Sequence, residues 1–470
     1  MDKYQVDWIA ERWVGRLASI VLACTLLYAI VGIPELDRDR VNATDYVNPL
    51  NRWIWLGLLA LAMPVAVVRW RRITRLLAAS WPLLLLYVYF GISTLWALDG
   101  PASTRRMLFT VVQLLLLVVL LSGLRRPSTA HVIVIGVVVL AAVMDVGAWV
   151  VMPGYAMTDE GFAGLQLQKN QTGLMMMYGC MAAATGYFLR RDWLWRVGVL
   201  GSLGLMLALL IASRSTTSQA ITLLAPIVML AMLAVATRSR GEIWAIVLAI
   251  VAALAAAIFV YLAWCAVTGA DPWLPMRGAT FTGRTDLWQF VVDEVVKRPW
   301  LGSGYASFWS IDPSIQPSLK TDMWFGVYAI INEGHQGYLD LLVTGGIVGL
   351  AGGLFVVLRT LGIGARAMTQ ADGAALANQR GTLARPTAVF HMTLLTSLLV
   401  HNFTESNLFS NNSVLAVAFV LAALDLEQWR LGQPARVRPG YRHIASQAAT
   451  LAQGAGYAEL SPGPTEVIRA

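Results

Sequence analysis

Long runs of apolar residues, separated by short charged or glycine- and proline-containing stretches, follow one another along the chain. A helix needs about 20 residues to cross the hydrocarbon core of a bilayer. Runs near or above that length stand at 14–33, 53–68, 76–97, 107–124, 130–151, 172–189, 196–212, 216–236, 243–268, 336–358, 386–402 and 410–427. The pattern predicts an all-α polytopic membrane protein with about twelve transmembrane helices. Four regions follow from it: helices one to nine over 1–268, a large loop over 269–335, helices ten to twelve over 336–430, and a tail over 431–470. The loop is too long to be a mere connector. The Pro-, Gly- and Ala-rich tail reads as disordered. Trp13 to Ile33 suits a first retained helix better than a cleaved signal. Neither an internal repeat nor a soluble domain is visible in the pattern.

Composition agrees. The chain is 57% hydrophobic and only 13% charged, against roughly 25% charged in soluble domains. Its solvent must be membrane lipid. The net charge of +8 follows helix ends, so it calls for no nucleic acid. With an even number of spans both termini share a side, and about two thirds of the basic residues fall there. That side is cytoplasmic, and the large loop faces outward. Cys24, Cys180 and Cys265 lie within apolar runs and have neither metal-ligand nor disulfide spacing.

The outward side carries the candidate chemistry. From Thr285 to Val296, Leu287, Trp288, Val291, Val292 and Val295 share one helical face, with Asp286, Gln289, Asp293 and Glu294 opposite. This helix is expected to lie along the membrane surface, apolar face down. Arg284 stands at its start, where free backbone N–H groups and the helix dipole favour an anion such as a phosphate; a surface arginine reaching for headgroups is the plainer reading. Arg214, at the outer mouth of the seventh span, needs a partner or a wet cavity unless it reaches the lipid surface. His335 precedes the tenth span. If the helix begins there, it shares a face with Tyr338, Leu339 and Leu342, and an imidazole suits a general base. Glu405, just past the eleventh span, orients a base, pairs with an arginine, or sits in a solvated loop. Lys169-Asn170 opens the sixth span and Arg105-Arg106 the fourth, so these polar groups converge on one leaflet level. Histidine-plus-carboxylate metal motifs, a phosphate-binding GxxxxGK[ST] loop and a GxSxG elbow are absent from the sequence. A synthetic enzyme facing outward has no nucleotide available and needs a donor already activated in the membrane.

Gly283-Arg284-Thr285-Asp286-Leu287-Trp288, then Arg298-Pro299-Trp300-Leu301-Gly302-Ser303-Gly304-Tyr305, then Gly334-His335-Gln336-Gly337-Tyr338-Leu339-Asp340-Leu341-Leu342 and Gly345-Gly346-Ile347-Val348-Gly349-Leu350 occur in this order. Together with Lys169-Asn170 and Asn402-Phe403-Thr404-Glu405 they resemble the O-antigen ligase/polymerase superfamily. Members often carry Asn after the histidine; here Gln336 keeps an amide. The resemblance implies a GT-C type inverting glycosyltransferase in a bacterial inner membrane, acting at its periplasmic face on an undecaprenyl-pyrophosphate-linked glycan. It further implies that Arg214 and Arg284 hold the donor pyrophosphate, with no metal and no cofactor, while His335 activates the acceptor hydroxyl. Lys169, Asn170, Arg105, Arg106, Tyr338 and Glu405 are expected to bind substrate. The acceptor is either a second lipid-linked repeat, in a Wzy-type polysaccharide polymerase, or lipid A-core, in an O-antigen ligase; the segments lean toward the polymerase. A transporter of an anionic glycolipid is the reading of another class.

Overall fold

With no water to satisfy peptide groups inside a bilayer, an apolar chain has to pair them within each segment, and the helix is the local way to do so. The computed structural model describes residues 3–33, 48–124, 126, 128–236, 283–327, 331–370, 385–410 and 413–432. Most of them are helical, and their only sheet is a pair of two-residue strands, Met157–Thr158 (β1) and Gly161–Phe162 (β2). The long helices are α1 (Lys3–Val31), α2 (Leu50–Ala79), α3 (Trp81–Ser93), α4 (Gly100–Gly123), α5 (Thr129–Val151), α6 (Lys169–Gly186), α7 (Trp193–Ser213), α8 (Thr216–Ala236), α9 (Arg284–Lys297), α10 (Gly337–Gln370), α11 (Arg385–His401) and α12 (Val414–Gly432). Among the described residues six are long and apolar enough to cross a membrane on their own: α1, α2, α4, α5, α7 and α10. The span expected at 243–268, Cys265 and the tail from 433 onward lie outside the described residues. Each of the other expected spans falls on a helix.

Two of those helices outrun the expected spans. The second runs through Pro64 and the Arg69–Arg75 cluster to Ala79, and the tenth continues to Gln370. Arginine is a good helix former, so a charge cluster ends the membrane crossing without ending the helix. Arg71, Arg72 and Arg75 are exposed along that extension.

Inside the bundle, α6 and α8 both pack on α11, which also lies against α10. Buried side chains from every long helix except α9 form one large apolar core. A second core sits in the loop before α10. Leu287, Phe290 and Val291 of α9 pack with Phe308, Trp309, Phe325, Ile331 and Val343. The Leu287–Val291 side of α9 is thus covered by residues of the loop and by Val343 of α10, while Val292 and Val296 stay exposed. The reason is the supply of aromatic side chains at 308, 309 and 325, which bury Leu287 and Val291 completely.

The loop is also built into the membrane helices. Inside α10, Gly346 adopts φ 63 and ψ −169, which breaks the helix. The Pro299–Gly304 segment fills the gap: Ile347 N–H donates to Pro299 O (2.8 Å), Val348 N–H to Trp300 O (3.2 Å), Ser303 N–H to Val343 O (2.8 Å) and Gly304 N–H to Thr344 O (3.0 Å). A break at this depth needs its freed peptide groups re-paired; the inserted segment supplies these four bonds and the Tyr89 hydroxyl donates to Gly345 O. A Cβ at 346 would lie 2.2 Å from Trp300 O, so the position requires glycine on two counts.

Candidate active site

The turn before α10 begins with its glycines. Gly337 N–H donates to Asn402 O (2.8 Å), and a Cβ at 337 would lie 1.9 Å from Asn402 Oδ1. Glycine is what lets the start of α10 touch the end of α11. Buried Asn402 accepts from the N–H groups of Asn407 (3.1 Å) and Leu408 (2.9 Å), folding 402–408 into a tight turn. That turn presents Glu405 to the segment before α10. Gln336 Oε1 accepts from Leu339 N–H (2.6 Å), in the manner of a helix N-cap, so the helix starts at Gly337.

His335 therefore stands outside the helix, at φ 48. The expectation that it shares a helical face with Tyr338 and Leu339 is not met, because the Gln336 cap turns the backbone between them. Tyr338 points to α11: its hydroxyl donates to Leu399 O (2.8 Å) and its ring rests on Phe403.

Glu405 joins the catalytic candidates. Its Oε2 lies 3.0 Å from His335 Nδ1, and its Oε1 lies 3.3 Å from Arg284 Nη2. Arg284 Nη1 also donates to Thr404 O (2.7 Å). Of the three readings open for Glu405, two hold together: it pairs with an arginine and it orients the histidine. The solvated loop is excluded, since the residue is 9% exposed. Glu333 Oε1 approaches the same Nδ1 at 3.1 Å. With Nδ1 turned to carboxylates, Nε2 is the open nitrogen, and it has no hydrogen-bond partner among the described residues.

Charge follows geometry. Burial works to lower the His335 pKa, but the hydrogen bonds and charges of Glu333 and Glu405 outweigh it and push the value up to about 9. Burial likewise works to raise Glu405; the hydrogen bond and charge of His335, with Arg284 and His401, outweigh it and hold that carboxyl below its usual range. Ligand atoms of Glu333, His335 and Glu405 lie within 4.8 Å of one another, a grouping of metal-binding type. Arg284 already places a cation on Glu405. No side chain caps the first turn of α9, so its N–H groups remain available to an anion beside Arg284.

The remaining expected residues divide. Arg214 ends α7 at φ 54, exposed and with no side-chain partner among the described residues. It borders β2, since a Cβ on Gly161 would lie 2.5 Å from Ser213 O. Lys169 Nζ reaches Glu160 on the same hairpin (3.3 Å), and Gly173, one turn on, abuts Ser215. Arg214, Lys169 and neighbouring Asn170 thus form a second polar group, which makes no hydrogen bond or ion pair with the first. Arg106 has another task. Its guanidinium donates to Ala306 O (2.5 Å), Trp309 O (3.0 Å) and Ser310 O, pinning the loop to α4. Arg105, its neighbour, is exposed. Sequence reasoning did not single out Glu333, although it lies two residues from the histidine. No spacing linked Glu405 to His335 across 70 positions.

The fold and site define a polytopic helical membrane protein whose large loop and helix ends assemble a histidine–carboxylate–arginine group. The O-antigen ligase family model matches residues 200–354. The chain is 28% identical over 196 residues to the exopolysaccharide production protein ExoQ of Rhizobium meliloti (strain 1021). That match covers 40% of this chain and 43% of ExoQ, so the aligned part is less than half the length of that relative. Both comparisons support the resemblance to the O-antigen ligase/polymerase superfamily.

Proposed function

We propose that the protein is a glycan-transferring membrane enzyme that works at the outer face of the bacterial inner membrane on an undecaprenyl-pyrophosphate-linked glycan. The observation that carries this reading is His335 with Nδ1 on Glu405, Glu405 gripped by Arg284, and Nε2 left open. The imidazole Nε2 takes the proton of the acceptor hydroxyl. Its oxygen forms a bond to the anomeric carbon from the face opposite the leaving group, and the bond to the pyrophosphate breaks with inversion. The lipid pyrophosphate departs with the electron pair. Arg284, and Arg214 with Lys169 once donor is bound, stabilise that growing charge. Guanidinium supplies the electrostatics, so the proposal needs no metal. The carboxylates that aim the ring also keep it protonated in the resting site, so the neutral, reactive fraction grows with pH.

Between acceptors, we favour a polysaccharide polymerase, supported by the similarity to ExoQ, an exopolysaccharide production protein. The family description supports the second reading, an O-antigen ligase acting on lipid A-core. Purified protein supplied with lipid-linked repeats alone separates them: a product ladder means polymerase, and product only on adding lipid A-core means ligase. The broken α10 is a feature that carriers also use. Glycolipid flux in proteoliposomes without bond formation would replace the enzyme reading with that one.

A further inference from the structure

The turn that presents His335 is held by side chains outside the proposed chemistry. Gly334 has both peptide groups engaged: its N–H donates to Asp340 Oδ2 (2.9 Å) and its O accepts from Trp288 Nε1 (3.0 Å). The other oxygen of Asp340 accepts from Trp309 Nε1 (2.8 Å). Ser406, which accepts from Gln336 N–H (3.2 Å), also donates to Asp340. A Cβ at 334 would lie 2.6 Å from Asp340 Oδ1, so this carboxylate closes directly over the backbone. Both indoles belong to the outer loop, and Trp309 is part of its core.

We infer that Asp340, held by Trp309 and assisted by Trp288, is a positioning residue that keeps the His335 turn in register with Glu405. The inference rests on the reading of His335 as the base. Its physical ground is the positive φ of His335, an uncommon conformation that persists only where surrounding contacts over-determine it. No helical hydrogen bond holds this residue; four side chains from α9, the loop, α10 and the 402–408 turn do so instead. Asp340 is the one that joins them, since it touches the peptide before the histidine, the loop core and the turn carrying Glu405. Integrity of the outer loop is thereby felt at the imidazole.

The test is carbethoxylation of the full-length protein by diethyl pyrocarbonate from pH 5 to 10, read at the His335 peptide by mass spectrometry. Only neutral imidazole reacts, so the midpoint reports the hold of the carboxylates on the ring. Wild type is expected near 9. Asp340→Asn keeps the shape but loses one acceptor, and the midpoint should fall by at least one unit toward the ordinary histidine value of about 6.5. Trp309→Phe should shift it in the same direction by less, and the double variant should add little to Asp340→Asn. An Asp340→Asn midpoint equal to wild type, with only a lower melting temperature, overturns the inference. If Asp340→Asn does not fold, unchanged midpoints in both Trp309→Phe and Trp288→Phe overturn it. The two readings fail separately: full turnover by His335→Ala removes the base assignment, whereas the midpoints judge Asp340 whatever the turnover.

Discussion

Among the described residues two histidines, His335 and His391, pair with carboxylates in ways that look alike on paper. His335 meets Glu405 at 3.0 Å, and His391 meets Asp425 at 2.8 Å. In the second pair both side chains are 1% exposed. It lies between α11 and α12, and neither His391 Nδ1 nor Asp425 Oδ1 has a partner. Nearby His131 is fully committed, with Nδ1 on Thr387 and Nε2 on Ala182 O. The outer imidazole is 29% exposed and keeps one nitrogen open. Hydrogen-bond distance therefore does not distinguish a reactive pair from a sealed one. Access to the second nitrogen does, together with an arginine that fixes the carboxylate. Glu405 has Arg284; among the described residues Asp425 forms no ion pair with an arginine or lysine.

The largest expected contrast comes from removing each imidazole. His335→Ala should cost roughly 10²–10⁴-fold in turnover while leaving the melting curve nearly unchanged. His391→Ala should do the reverse: stability falls by about 1–3 kcal/mol as buried Asp425 loses its hydrogen-bond partner, and turnover per folded molecule holds. Replacing both His391 and Asp425 by leucine should recover much of that stability, which thermal melts of the detergent-solubilised protein would show. Turnover lost with His391 in a fully folded sample would break the comparison.

Next in size is the arginine. Arg284→Lys keeps a charge but not the contacts to both Glu405 and Thr404, and should lower turnover by about tenfold or more. Arg214→Lys is expected to follow it, since an ammonium loses the forked grip on phosphate. Full activity in either variant would reduce that arginine to a point charge.

Acidity sharpens the contrast further. If His335 acts as the neutral base, turnover should rise about tenfold per pH unit below its pKa of about 9 and level off above it. Stability takes the opposite sign. A pKa raised above the unfolded value of about 6.5 stabilises fully below that value, and the contribution is lost as pH climbs through about 9. A pH–rate curve falling between 7 and 9 would instead mean that the imidazolium is the working form. The smallest effect is expected at Arg106→Ala. It frees three loop carbonyls, so limited proteolysis of the loop should quicken while turnover falls only a few-fold.

The apolar periodicity determined the membrane class and the position of nearly every described helix, because bilayer thickness and peptide hydrogen bonding leave a chain little else to do. The order of the GRTDLW, RPWLGSGY, GHQGYLDLL and NFTES segments also carried the family resemblance. What those segments do to one another came only from the tertiary structure. The Pro299–Gly304 segment bridges the break at Gly346, the loop aromatics cover one side of α9, and Arg106 becomes a loop anchor. Glu405 reaches both His335 and Arg284 across separations that no local rule spans. A periodicity argument sees one helix at a time and assigns faces to water or lipid. It has no means of finding that a face is covered by a segment of the same chain, nor which of several histidines keeps a nitrogen open.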